Sequence, residues 1–183
     1  MDAKNRRKQL ADQYWKDEVL FTGDESGWFK VPRSFPLALA LLADKRLKGG
    51  ENVAAVYLEL LSHHYGEGVI EMRHEAEHAY AAGYTSARAV RTWKERMASL
   101  EKLGFIKIHR DALRHFKQVA LVHPTVAIER LNDSGLVLPE WWDAYKSRQR
   151  EAKEPTYKEL VKGRSPKVVA MPRKSARAAG GKP

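Results

Sequence analysis

Apolar residues return at helical spacing along several stretches of the chain. Val53, Val56, Tyr57, Leu60 and Leu61 recur at three- and four-residue steps and predict a helix over about 53–65. Asn52 can cap it, and Gly66 and Gly68 stop it. Val90, Trp93, Met97, Leu100 and Leu103 form the longest stripe, on a helix expected to start at a Thr85 or Ser86 cap and to stop at Gly104. Pro36 opens a helix through about Leu42 or Leu47, and Gly49-Gly50 breaks it. Pro139 starts another, bearing Trp141, Trp142 and Tyr145. Shorter helices are expected over about 74–82, closed by Gly83, and over Thr125–Leu131, ahead of the turn Asn132–Gly135. Residues 3–18 read as a polar helix with a narrow stripe of Leu10, Tyr14 and Trp15.

Short apolar runs at Val69–Met72, Phe105–Ile108 and Val119–Val122 predict strands. The polar stretch His109–Lys117 joins the last two into a hairpin, ended by Pro124. Trp28–Pro32 is a short extended piece after the loop Thr22–Gly27. From about Glu154 the chain turns to Pro, Lys, Arg, Ala and Gly. Residues 163–183 hold no acidic residue, which predicts disorder. Three segments follow: 1–27, an N-terminal helix and loop; 28–153, the folded body with a C-terminal helical extension; and 154–183, a disordered basic tail. The expected class is α+β and mostly helical.

Across 52–122 the order is helix, strand, helix, helix, strand, strand. A short helix, a tight glycine-containing turn and a longer helix make a helix-turn-helix. A strand before it and a hairpin after it complete a winged helix. At this point the sequence resembles a family, the winged helix-turn-helix proteins among plasmid, phage and bacterial regulators and replication-associated proteins. The resemblance rests on Val69-Ile70, on Ala82-Gly83-Tyr84-Thr85-Ser86, on Arg91-Thr92-Trp93 and on the run Met97–Ile106 with Leu103-Gly104-Phe105-Ile106 at its end. Trp28–Arg33 also resembles the lead-in strand of plasmid replication-associated members. One departure stands out. Counted back from Gly104, Arg91-Thr92-Trp93 sits where the family starts this helix, whereas the Thr85 cap lies about one turn upstream.

Charge sharpens the picture. The 183 residues carry 33 Lys/Arg against 23 Asp/Glu, a net charge of +10. Residues 73–118 hold ten basic and five acidic residues, and residues 151–183 hold nine and three. The surplus therefore coincides with the helix-turn-helix and with the tail, which points to a polyanion partner. The resemblance implies sequence-specific binding of double-stranded DNA, by a transcriptional regulator or a replication or partition accessory factor of a mobile element. The second helix of the pair would enter the major groove. With 90, 93, 97 and 100 facing the core, the opposite face carries Arg88, Arg91, Thr92, Glu95 and Ser99, with Lys94 beside them. Arg88, Arg91 and Thr92 would read bases. Thr85 and Ser86 at the helix start, and Arg110, Arg114 and Lys117 between the last strands, would position the phosphate backbone. The tail would add a salt-dependent, non-specific grip. Members of this family often dimerise to read paired half-sites, so a homodimer through the N-terminal helix or the Trp cluster is expected.

Two other readings stand beside this one. The same body could be a protein-interaction module of replication or conjugation machinery, docking through Leu10, Tyr14, Trp15 and Trp141–Tyr145, with DNA affinity supplied only by the tail. His74-Glu75-Ala76-Glu77-His78 also matches H-E-x-x-H, which on a helix can hold zinc with Glu75 as general base. No third ligand stands out beyond Glu95 and Glu101 downstream, so neither a metal nor an enzyme activity is expected. His63-His64 reads as the polar end of a helix. The chain has no cysteine, which excludes a thiol nucleophile, a zinc ribbon and an iron–sulfur site. It has no G-x-x-x-x-G-K-[ST] and no G-x-S-x-G. No apolar run approaches membrane-spanning length, and the basic start leads into no apolar signal region. A cytoplasmic location, associated with nucleoid or plasmid, is expected.

Overall fold

The computed structural model describes residues 29–44, 47, 52–63, 68–112 and 115–162, with isolated positions 5, 6, 9, 13 and 14. The chain divides into two units, Met1–Val31 and Pro32–Pro183. In the first, the five isolated positions are helical, as the expected 3–18 helix requires. Leu10 and Trp15 lie outside the described residues.

The second unit is α+β and mostly helical. Its described elements run α1 (Phe35–Ala43), α2 (Ala54–Ser62), β1 (Val69–Glu71), α3 (Glu75–Ala81), α4 (Ala89–Lys102), β2 (Ile106–His109), β3 (Gln118–Leu121), α5 (Pro124–Asp133), α6 (Pro139–Glu151) and α7 (Tyr157–Val161). The layout agrees with the expected order of elements and is consistent with a winged-helix-like body. The three strands form one antiparallel sheet in the order β1-β3-β2. Ile70 and Ile108 both register against Val119. Ile70 and Val119 are buried, so one face of the small sheet closes on the helices while Glu71, Lys107 and His109 face out.

Local chemistry accounts for most boundaries. Pro36, Pro124 and Pro139 each sit in the first turn of a helix, where the missing N–H costs nothing. The Asn52 side chain accepts the Ala54 N–H at 3.0 Å and so serves the start of α2 as expected. α1 ends at Ala43, at the shorter of its two expected limits, and α2 ends at Ser62 rather than near residue 65. The larger correction concerns α4. It begins at Ala89, with Arg88 at its cap position, and neither Thr85 nor Ser86 caps it. Instead Ser86 builds a separate turn: its hydroxyl accepts the Arg88 N–H at 3.3 Å and its carbonyl accepts the Ala89 N–H at 2.9 Å. Arg91-Thr92-Trp93 therefore lies in the first turns of the helix.

The core is built on α2, α4 and the residues leading into β2. Trp93, Met97 and Leu100 of α4 are fully buried, as are Tyr57, Leu60 and Phe105. Phe105 meets the Tyr57 ring edge-on at 5.1 Å, and Phe116 meets Trp93 edge-on at 5.3 Å. Burial of each such side chain is worth about 1.5–3 kcal/mol. Val90, the first residue of the expected stripe, is only half-buried.

The tail is the second correction. Disorder was expected from residue 154, yet residues 154–162 are fastened to the body. The Glu154 carboxylate accepts the Ser34 N–H at 2.8 Å and the Ser34 hydroxyl at 2.6 Å. Buried Gln149 donates to the Pro155 carbonyl at 3.0 Å. Thr156 and Glu159 form a reciprocal capping box that starts α7. Residues 163–183 lie outside the described residues.

Candidate nucleic-acid interface

The candidate surface follows from the phase of α4. Trp93, Met97 and Leu100 point inward, so Arg88, Arg91 and Glu95 are exposed on the other side. Gly83, at φ +88°, makes the left-handed turn that separates α3 from this helix. Thr85 and Ser86 are exposed in the turn ahead of α4. Thr92 is half-buried at the flank of the exposed face.

Most of the basic residues are already paired. Arg91 donates to Glu95 one turn on at 3.1 Å. Lys94 bonds Glu75 of α3 at 2.7 Å. Lys117 lies 3.3 Å from Asp111 across the β2–β3 loop. These pairs are exposed or partly so, and each holds its partners by no more than about 1 kcal/mol. Arg88 makes no ion pair among the described residues. Arg114 lies outside the described residues.

Arg110 differs. It grips Glu101 at the end of α4 through two bonds, Nη2 to Oε2 at 2.6 Å and Nη1 to Oε1 at 3.1 Å. Glu101 Oε1 also accepts the Ile108 backbone N–H at 3.1 Å. The Arg110 hydrogen bond, followed by that of Ile108, holds the Glu101 carboxyl below the usual carboxylate range. The same bond raises the Arg110 guanidinium. The arginine expected to touch phosphate is thus a brace between α4 and the start of the β2–β3 loop. At the far end of that loop Phe116 is buried against Trp93, and the exposed His115 ring packs on Phe116 at 4.6 Å. The loop is pinned to α4 at both ends.

The H-E-x-x-H stretch does not assemble as a zinc-protease helix. His74 is the exposed cap residue of α3, Glu75 is held by Lys94, and His78 turns into the body. His78 Nδ1 lies 2.7 Å from Glu59 Oε1 on α2, and His63 Nδ1 lies 3.1 Å from the same oxygen. Glu59 was not singled out from the sequence. A carboxylate at position 59 falls on the apolar stripe between Val56 and Leu60 and four residues before His63, but nothing local in the sequence points to its partner His78.

The C-terminal aromatic cluster stacks on itself. Trp141 and Trp142 lie against Tyr145 at 5.2 and 6.0 Å, both rings half-buried, and Lys146 sits over Trp142. The buried Tyr145 hydroxyl donates to Thr125 at 3.1 Å, and burial raises its pKa. This cluster caps the core, tying α6 to α5. No helix among the described residues is long and apolar enough to cross a membrane. No protein-family model, curated protein or solved structure matches the chain.

Proposed function

We propose that the chain binds double-stranded DNA sequence-specifically through a winged helix, as a transcriptional regulator or a replication or partition accessory factor of a mobile element. One observation carries the reading. The excess of five positive charges in residues 73–118 falls on the helix-turn-helix and hairpin, and Arg88 and Arg91 stand outward on the first turn of α4. The start of the second helix is where such modules meet base edges. Arg88, Arg91 and Thr92 are the proposed base-reading residues, with Glu95 orienting Arg91. Thr85, Ser86, Lys94, Arg114 and Lys117 are the proposed backbone contacts. The surface ion pairs of Arg91, Lys94 and Lys117 are weak enough for phosphate or guanine to replace them. Arg110 contributes by holding the wing, formed by β2, β3 and their loop. A homodimer would read paired half-sites about one helical turn apart.

The test is selection of duplexes from a random pool by the full chain at about 0.15 M salt, followed by single substitutions. A defined sequence should be enriched. Arg91→Ala should cost about 1–3 kcal/mol on the selected site and relax the preference at one position. Lys117→Ala should weaken all sequences alike and flatten the salt slope by about one unit. Equal losses from both changes on random and selected DNA would refute the assignment. No enrichment, with affinity lost once residues 163–183 are removed, would favour the protein-docking reading.

A further inference from the structure

We propose that Glu59, His63 and His78 form a binding site for a divalent transition-metal ion of the zinc class. The inference is independent of DNA binding. Glu59 and His63 stand one turn apart on α2 and its C-terminal residue, and His78 projects from α3. One ligand atom from each of the three lies within 4.8 Å of the others. Two imidazole nitrogens and one carboxylate oxygen are the donors that zinc takes, whereas calcium and magnesium call for oxygen-rich shells.

A second observation points to a missing ligand. The Glu59 side chain is only 4% exposed, and its Oε2 is buried with no hydrogen-bond partner among the described residues. Among the described residues only His63 and His78 pair with this carboxylate, both at Oε1. A hydrogen-bonded cluster without metal leaves Oε2 unsatisfied, at a cost of about 1–3 kcal/mol. An ion shared by the three side chains would draw on this carboxylate and neutralise its buried charge. The present separations of 2.7 and 3.1 Å from Oε1 are short of the ~3.3 Å edge of a tetrahedron with ~2.0 Å bonds, so small side-chain rotations suffice to admit the ion.

The surroundings suit the role. The His78 ring stacks on Trp93 at 5.9 Å and 18°, which fixes its orientation. A cleft of about 450 Å³ reaches His63 and His78, with His74 and Glu77 on its wall. Three protein ligands beside an open cleft leave the fourth position to water or to a small anionic ligand. The ion would fasten α2 to α3 behind the helix-turn-helix.

The experiment uses the full chain, free of any histidine tag and stripped with chelator, titrated with Co²⁺ and then Zn²⁺. One ion should bind per chain with micromolar or tighter affinity. Co²⁺ should give the visible absorption of a tetrahedral site, Zn²⁺ should displace it, and the melting temperature should rise on loading. His63 is exposed enough for His63→Ala to fold, as circular dichroism will verify, and this change should weaken binding more than about tenfold. Glu59→Gln should do the same, and His109→Ala should not. Absence of stoichiometric binding, or unchanged affinity in His63→Ala, overturns the proposal.

Discussion

Replacing Glu101 by glutamine tests the brace between α4 and the β2–β3 hairpin. The amide keeps the shape and can still accept the Ile108 N–H, but it puts a donor where Oε2 accepts from Arg110, so the change removes the charge and one of the two Arg110 bonds. In the wild type the carboxylate receives two bonds from Arg110 and one from the backbone. Charge-assisted hydrogen bonds contribute about 1.5–3 kcal/mol when shielded. Here the Glu101 and Arg110 side chains are 27% and 40% exposed, so solvent screening reduces the expected loss to about 1 kcal/mol. The pH dependence has a definite sign. The folded carboxyl lies below its ordinary value of 4.5, so the stabilisation is present above that value and is lost as pH falls through the folded pKa. Urea unfolding at about pH 7 should show Glu101→Gln less stable by about 1 kcal/mol with an unchanged slope, and the difference should shrink as pH falls well below 4.5. An Arg110→Met background should abolish it at either pH. An equal deficit at both pH values would mean that charge is not what holds the hairpin to α4, and no deficit near pH 7 would remove the brace altogether.

Other outcomes follow from the same contacts. Glu154→Ala should cost about 1–2 kcal/mol, because the Ser34 N–H and hydroxyl both lose their acceptor. Chains ending at 153 should be destabilised in the same unfolding assay, whereas chains ending at 162 should not. Gly104→Ala should cost about 1 kcal/mol from its left-handed backbone at φ +80°, with no added clash, since nothing lies within 4 Å of the new Cβ. Trp93→Ala should cost about 3–5 kcal/mol and loosen Phe116 and the β2–β3 hairpin, visible as faster amide exchange in β3.

The sequence pattern located all the described elements of the body except α7. What it misplaced has physical reasons. Thr85 and Ser86 carry the composition of a helix cap, but the Ser86 hydroxyl and carbonyl are spent on a turn that precedes α4. Residues 154–162 open the Pro- and Lys-bearing stretch that runs into the basic residues beyond, yet they hold Glu154 and Glu159, and Thr156-x-x-Glu159 is a capping-box signature that was open to reading. Glu59, Arg110 and Glu154 were not legible as structural residues. Each acquires its role from a partner elsewhere in the chain: His78, Glu101 and Ser34. The sequence offered a DNA-facing charge at Arg110 and no role at Glu59 or Glu154, and only the tertiary arrangement shows anchored ones.

The strand order bears on how the protein is made. β3, the last strand in sequence, is the middle one, so β1 gains its partner only after about 50 further residues have been synthesised. The α3–α4 pair lies wholly inside that interval and can assemble from neighbouring contacts while β1 still waits. A nascent strand left open in this way invites pairing with other chains. β1 is short, with Glu71 and Arg73 at its end in mutual contact at 3.0 Å, which are the features that discourage such pairing until β3 arrives to close the sheet.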